Sequence, residues 1–481
     1  MNRSIRFTAL FSLLLITLLL VNLTYIAGFS QEKYANNPLN KRLLIAATSI
    51  PRGAITAGGE ELAHSWKDEA GIYHRKYEGD TPAFSNVLGY LSDQFGAAGL
   101  ELSQNAQLTG TEITTKNWTD RLLGKDPIGN NVHLTLNPEV QRLAYHQLAD
   151  NGYEGAIVAL KPSTGEIIAM AASPSFDNNG LVNPETAENT WQELLATPGN
   201  PLLNHATQET LPPGSIFKIV TTAAGLANGY SRDSQLPGAA EITLPGTTQT
   251  LTNYGGQTCG GGDGGDVSLL TAFEHSCNTA FVQMSIDMGA APMQKAATSF
   301  GIGQSYDLGI PMANGALGDI TDPAIRGQSS IGQRDVSMSA LQAAVMAGTV
   351  ANGGQRMTPH LVSAITDVAG HEVRKIKPEV ADSSLDPAIM AEITDLMRAS
   401  ERSTWGYKGT DIASKTGTAE HGDNTLGPHT WYVAFGPSKN ADVAVAVVVK
   451  NGGHLGAGAT GGQVASPLGR TVLEAALRAT R

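Results

Sequence analysis

Cysteine is nearly absent: Cys259 and Cys277 are the only two in 481 residues, too few and too far apart for a zinc ribbon or a CxxC redox centre. An exported chain could pair them, and two buried thiols fit the sequence equally well. Blocks of like charge are also missing. With 44 acidic against 32 basic side chains the surface is modestly acidic and repels a polyphosphate, which argues against nucleic acid as a partner. There is no His-Glu-x-x-His and no Gly-x-Ser-x-Gly, so a zinc protease and a histidine-based serine hydrolase lack their signatures. The 11 histidines, His275, His421 and His429 among them, are assigned no role. Two stretches, Gly260 to Gly265 and Gly456 to Gly461, match Gly-x-Gly-x-x-Gly. The second follows a strand pattern and precedes a helix, but no second parallel strand follows before Arg481, so nucleotide binding is not expected.

What the chain does have begins with one long apolar run. From Phe7 to Phe29 there is no charge, behind Arg3 and Arg6. A helix over that run reaches roughly 34 Å, enough to span a bilayer. The basic flank predicts a cytoplasmic N-terminus and an exported remainder. A cleaved signal peptide is the alternative, with small residues at Gly28-Phe29-Ser30. At this length two or three domains are expected.

The patterns divide the chain into a cytoplasmic tail (1–6), a transmembrane anchor (7–29), a polar, irregular pedestal (30–150) and a large C-terminal domain (151–481). Within the last, "EGAIVALKPSTGEIIAMAAS" predicts a hairpin turning at Pro162 to Gly165. Matching strands recur only at 411–420, 429–437 and 441–452, followed by a helix from about Gly462. Residues 200–400 read as mostly helical. The expected class is therefore α+β: an antiparallel five-stranded sheet assembled from both ends of the domain, with flanking helices and a helical subdomain inserted between them.

Chemistry concentrates at "LPPGSIFKIVTTAAGLANG". Ser215 follows Pro213-Gly214 at a helix start, and Ile216, Ile219, Val220 and Ala223 fall at the spacing of a buried stripe. Ser215, Lys218 and Thr222 share the other stripe. A serine alcohol is a poor nucleophile near pH 7, and an unprotonated amine one turn away could take its proton. Ser-x-x-Lys alone is weak, since it recurs at Ser30 and Lys33. Ser-x-Asn occurs at Ser103, Ser276 and Ser438, but only Ser276-Cys277-Asn278 lies between Ser215 and the single Lys-Thr-Gly, Lys415 to Gly417.

In these three motifs, in this order, the chain resembles a class B penicillin-binding protein, of the penicillin-binding protein A subgroup. Supporting stretches are "RGAI" (Arg52 to Ile55), "GAIVALKPSTGEIIAMAASPSFD" and "ATGG" (Ala459 to Gly462), so the resemblance covers nearly the whole chain. It implies a penicillin-binding/β-lactamase-like transpeptidase domain on an N-terminal pedestal, anchored by one transmembrane helix with the catalytic part outside the cell membrane. It further implies peptidoglycan cross-linking in cell division or cell-shape maintenance, with no cofactor and no metal.

Carried over residue by residue, the resemblance implies that Ser215 attacks a D-Ala-D-Ala peptide bond of a stem peptide, or a β-lactam, with Lys218 as base. Ser276 would relay a proton, and Asn278 would hold Lys218 and the substrate amide. Lys415, Thr416 and Thr418, on the strand with Gly417, would bind the substrate carboxylate. The backbone amides of Ser215 and Thr418 would form an oxyanion hole. A membrane glycosyltransferase is the implied partner. Cys277 would serve packing, and its pairing with Cys259 would tether the Ser276 turn. Two alternatives remain: a D,D-carboxypeptidase or β-lactamase, in which water replaces the amine, and a non-catalytic β-lactam sensor or scaffold.

Overall fold

The computed structural model describes residues 3–30, 50–111, 128–421 and 426–480. A 27-residue helix, Arg3–Phe29, holds the apolar run, and its stretch Ile5–Ile26 is long and apolar enough to cross a membrane. Two of its threonines bond back to the helix itself. Thr17 donates to Leu13 O (2.9 Å) and Thr24 to Leu20 O (2.8 Å), as a hydrocarbon environment would demand.

A five-stranded sheet runs in the order Ala413–Ala419, His429–Gly436, Val443–Val449, Gly155–Leu160, Ile167–Ser173, each pair antiparallel. Both ends of the chain segment meet at the pairing of Val443–Val449 with Gly155–Leu160, as the sequence predicts. Every residue of the three central strands is buried because both faces are covered. Val443, Val445, Val447 and Val449 alternate to one face with Ile157, Ala159 and Tyr432. Helices Pro138–Ala149 and Ala465–Ala479 close that face through Val140, Ala144, Leu148, Leu468, Val472 and Leu473. Ala444, Ala446, Val158 and Val433 alternate to the other face. There lies helix Ala340–Ala351, apolar around its circumference and buried for all but its last residue. A Cβ at Gly348 would stand 2.9 Å from Leu160 Cδ1, so glycine lets this helix sit close to the sheet.

The inserted stretch is helical through Lys218–Ala227, Asn278–Met288, Ala290–Ser299, Ala340–Ala351 and Pro387–Ser403. It also contains strands Val362–Thr366 and Glu372–Lys375, which join a second, six-stranded sheet with Asn131–Leu134, Ile55–Ala57, Glu60–Lys67 and Tyr73–Tyr77. The pedestal is thus completed by residues far along the chain: Ile365 pairs with Val132, which pairs with Ile55. Conversely, helix Pro138–Ala149, read from sequence as pedestal, packs on the five-stranded sheet. Its buried Gln141 donates to both Ala83 O (2.6 Å) and Met170 O (2.9 Å), linking the two sheets' surroundings. The parts of the expected pedestal at 31–49 and 112–127 lie outside the described residues.

The pedestal's interior explains "RGAI". Arg52 Nε donates to Glu101 Oε2 (2.7 Å) and Arg75 Nε to Glu101 Oε1 (2.6 Å), with all three side chains within 2 % of full burial. Arg52 also reaches Asn105 Oδ1 at 2.6 Å. A Cβ on Gly53 would lie 1.9 Å from Asn130 O, so only glycine fits beside that strand. Burial works against the Glu101 charge, but Arg75 and Arg52 hold its carboxyl below the ordinary value.

Replacing Glu101 by Gln strands two buried guanidinium groups and is expected to destabilise the chain by about 3 to 5 kcal/mol, read as a lowered melting temperature in detergent. Because the folded carboxyl titrates below its unfolded value, its contribution is full above about pH 4.5 and is lost as pH falls through the folded value. The Gln variant should therefore lose less stability than wild type on acidification. An equal loss would remove Glu101 from that role.

Candidate active site

Ser215 sits in a tight turn, Gly214–Phe217, that leads into helix Lys218–Ala227. The turn is fixed from several sides. Trp431 Nε1 donates to Pro212 O (2.9 Å), Gly214 N to Gly332 O (2.9 Å), and Thr221 Oγ1 to Ser330 O (2.7 Å). Gly214 has φ 55, and a Cβ there would lie 2.7 Å from Thr418 O, so conformation and clearance both require glycine. The expected stripe of Ser215, Lys218 and Thr222 faces inward. Lys218 and Thr222 are fully buried, and Thr222 Oγ1 donates to Lys218 O at 2.6 Å.

Lys218 Nζ contacts four oxygens: Ser215 Oγ (3.1 Å), Ser276 O (2.6 Å), Ser276 Oγ (3.2 Å) and Asn278 Oδ1 (2.8 Å). Asn278 is oriented by donating its amide to Thr252 O at 2.9 Å, which turns Oδ1 toward the lysine. Two of the four oxygens, Ser276 O and Asn278 Oδ1, can only accept. A neutral amine has two N–H donors and one lone pair. Those two acceptors take both donors, and the lone pair is left facing the hydroxyls of Ser215 and Ser276. The contacts therefore suit an uncharged Lys218 that accepts a proton from Ser215.

The surroundings favour that state. Burial, and then the charge of Lys415, lower the Lys218 amine well below its usual value. Lys415 is also buried, its Nζ donating to Ser276 Oγ (2.9 Å) and Thr416 O (3.2 Å), and burial lowers it to about 7. The ring of Phe281 lies 5.4 Å from Lys218 Nζ and that of Phe273 lies 5.7 Å from Lys415 Nζ, giving both amines an apolar floor. Ser276, held at φ 59, presents one oxygen to both lysines. Cys277 beside it is disulfide-bonded to Cys259, with the two Cα atoms 5.5 Å apart, so the turn is tied to the glycine-rich loop.

Ser215, Lys218, Ser276, Asn278 and Lys415 are thus in one hydrogen-bonded group. Thr416, Gly417 and Thr418 follow Lys415 on Ala413–Ala419, an edge of the five-stranded sheet. Thr416 and Thr418 are half-buried. Gly417 is buried against the Ser215 turn, where a Cβ would stand 2.7 Å from Pro213 O and 3.1 Å from Ile216 Cγ2. Gly461 of the "ATGG" stretch backs the same strand: a Cβ there would lie 2.4 Å from Gly417 O, and its N–H donates to Thr418 Oγ1 (3.2 Å).

Sequence reasoning overlooked Glu401. Fully buried on helix Pro387–Ser403, it accepts from Ser414 Oγ, from Tyr432 OH (3.0 Å) and from Arg470 Nε (2.7 Å), bracing the strand one residue before Lys415. Its signal is its position, four residues beyond Met397 and eight beyond Ile393 on the apolar face. Among the described residues Glu154, His205 and Glu209 bring ligand atoms within 4.8 Å of one another. Lys450 Nζ already donates to both carboxylates there, so the cluster is an ion-pair clamp.

Two family models match the chain. The family model "Penicillin binding protein transpeptidase domain" matches residues 155–474, and "Penicillin binding protein A dimerisation domain" matches 52–132. The chain is 40% identical to the peptidoglycan D,D-transpeptidase PbpA of Mycolicibacterium smegmatis, over 99% of both chains. It is also 40% identical to PbpA of Mycobacterium tuberculosis, again over 99% of each. The ceftriaxone acyl-enzyme complex of penicillin-binding protein A from M. tuberculosis superposes with a TM-score of 0.85, covering 90% of this chain and 100% of that one at 40% identity. The penicillin G acyl-enzyme complex gives 0.84 at 41% identity, covering 89% and 100%.

Gly417→Ala should force the edge strand and the Ser215 turn apart. The expected outcome is a loss of about 1 to 3 kcal/mol from overpacking. Ser215 should also become at least about tenfold less reactive toward an acylating agent, about 1.4 kcal/mol in barrier. Thermal unfolding and acylation kinetics measure the two effects, and an unchanged acylation rate would show that the contact does not set the site.

Proposed function

The chain belongs to the family of penicillin-binding protein transpeptidases, and from that premise we propose a reaction path through its own residues. It is a serine-type peptidoglycan D,D-transpeptidase, acylated by β-lactams, that cleaves D-Ala-D-Ala and passes the acyl group to an amine. Lys218 takes the Ser215 proton as Oγ attacks the carbonyl carbon of the D-Ala-D-Ala bond. Charge on the carbonyl oxygen is met by the backbone N–H groups of Ser215 and Thr418, whose segments touch at Gly214.

The bond to nitrogen then breaks, and Ser276, sharing its oxygen with both lysines, passes a proton to the departing amine. D-alanine leaves and an ester to Ser215 remains. An amine from a second stem peptide attacks the ester, giving its proton back along the same route. Lys415, with Thr416 and Thr418, holds the terminal carboxylate, which in a β-lactam is the carboxylate beside the ring. Gly417 gives the clearance that brings this strand against the nucleophile. Asn278 keeps Lys218 aimed at the hydroxyl.

The observation that supports this path is the set of contacts at Lys218 Nζ, two accept-only oxygens that take both donors of a neutral amine and the Ser215 hydroxyl at 3.1 Å. The helix Arg3–Phe29 serves as a single-pass anchor, with the Arg3 and Arg6 flank in the cytoplasm and the catalytic part outside. A membrane glycosyltransferase that makes the glycan strands is the corresponding partner.

Fluorescent penicillin should label the full-length wild type and should not label Ser215→Ala. Labelling that persists in the variant would exclude Ser215 as nucleophile. The pH profile of acylation gives a second test. The base must be neutral, so the rate rises with pH through the Lys218 titration. The carboxylate-binding cation must be charged, so the rate falls as pH climbs past about 7, where Lys415 titrates. Lys415→Arg, charged at every accessible pH, should abolish the falling limb. A falling limb that stays in place would assign it to another group.

A further inference from the structure

Arg334 is a long charged side chain in the left-handed region, at φ 61. Among the described residues, the other non-glycine positions with positive φ are Ser276 in the active site and three asparagines, a type that tolerates this conformation. Packing does not explain the arginine, because its side chain is 43% exposed. Its ion-pair partner, Asp335, stands 3.6 Å away and is 61% exposed. A strained residue that persists without a packing reason points to function.

Its location is defined by its neighbours. Two residues earlier, Gly332 O accepts from Gly214 N at 2.9 Å, next to Ser215. One residue earlier, the Gln333 amide, in the orientation its partners require, donates to Glu420 O (3.1 Å) and accepts from Glu420 N (3.3 Å). The turn therefore lies between the Ser215 turn and the C-terminal end of edge strand Ala413–Ala419, and Arg334 follows it directly, exposed.

We propose that Arg334 is a specificity-determining residue: its guanidinium recognises a carboxylate on the stem-peptide residue immediately before the D-Ala-D-Ala pair. The inference rests on the reading of the edge strand as the donor's track. A donor with its terminal carboxylate at Lys415 and its reacting carbonyl at Thr418 runs antiparallel to the strand, toward Glu420. At about 3.3 Å per residue, the residue before the pair reaches the level of the turn that holds Arg334. A planar guanidinium with five N–H donors matches a carboxylate there and discriminates against a carboxamide, which offers one acceptor and no charge.

The test compares two donors of identical sequence, one with that side-chain carboxylate free and one with it converted to a carboxamide. D-alanine release by the full-length enzyme is measured with each. Wild type should use the free acid at least roughly tenfold more efficiently, with the difference mainly in KM. Arg334→Gln, which keeps the backbone conformation without the charge, and Arg334→Gly, which relieves the conformation, should both bring the ratio to about one. Arg334→Lys should retain part of the preference. A wild-type ratio near one, or the wild-type ratio surviving in both neutral variants, overturns the proposal. So does failure of both donors while penicillin still labels Ser215, because the arginine then serves no stem-peptide carboxylate. Those outcomes leave the nucleophile standing, whereas penicillin labelling independent of Ser215 would remove the active-site reading itself.

Discussion

Two lysine amines sharing one hydroxyl oxygen, with no carboxylate among their contacts in the described residues, set the terms for everything around Ser215. Lys218 Nζ and Lys415 Nζ are 3.2 and 2.9 Å from Ser276 Oγ, so they are at most about 6 Å apart. At that separation two unit charges repel by roughly 3 kcal/mol at an effective dielectric of about 20, or about two pK units. Burial against Phe273 and Phe281 acts in the same direction. Together they favour the neutral form of one lysine, and the contact pattern suits Lys218, whose two accept-only partners take both donors of a neutral amine. A carboxylate placed in this pocket would restore the charge and remove the base. Among the described residues no acidic side chain contacts either lysine, which keeps the base available.

Holding two lysines in that state requires walls that do not relax, and here the walls are backbone. The Ser215 turn, the Lys415 strand, the Gly332 turn and the Gly461 segment meet with glycine at each contact. Gly214 faces Thr418 O, Gly417 faces Pro213 O, Gly332 faces Gly214 O and Gly461 faces Gly417 O, each closer than any Cβ permits. Main chain against main chain leaves few rotamers to choose among, so the geometry is set without side-chain reorganisation. The Ser276 turn lacks such a contact and is held instead by the bond from Cys277 to Cys259.

How much of this was legible follows from the range of each interaction. Ser215 and Lys218 are three residues apart on one turn, so local periodicity was enough to bring them together. The five-stranded sheet was legible because its central strands are buried on both faces and read as unbroken apolar runs, such as "VAVAVVV". Strands Val362–Thr366 and Glu372–Lys375 were not. They are five and four residues long, the second is wholly exposed, and the first pairs with Asn131–Leu134, more than 200 positions away. Helix Pro138–Ala149 showed its amphipathic face clearly, but a stripe does not say which sheet it will cover. Glu401 and Arg52 share one blind spot: a buried charge is recognisable only once its partners, Arg470 and Glu101, are brought up from distant sequence.

Those long-range pieces connect the pedestal to the chemistry by a short physical route. The chain leaves the pedestal sheet at Lys375 and enters helix Pro387–Ser403, whose Glu401 accepts from Ser414, the residue before Lys415. Gln141 makes a second link, bonding Ala83 of the pedestal to Met170 of the catalytic sheet. Because two of the six pedestal strands come from the C-terminal half, the pedestal cannot swing away without breaking the ladder between Val362–Thr366 and Asn131–Leu134. Interleaving the strands ties the cleft to the pedestal through backbone hydrogen bonds, so whatever holds the pedestal also holds the cleft.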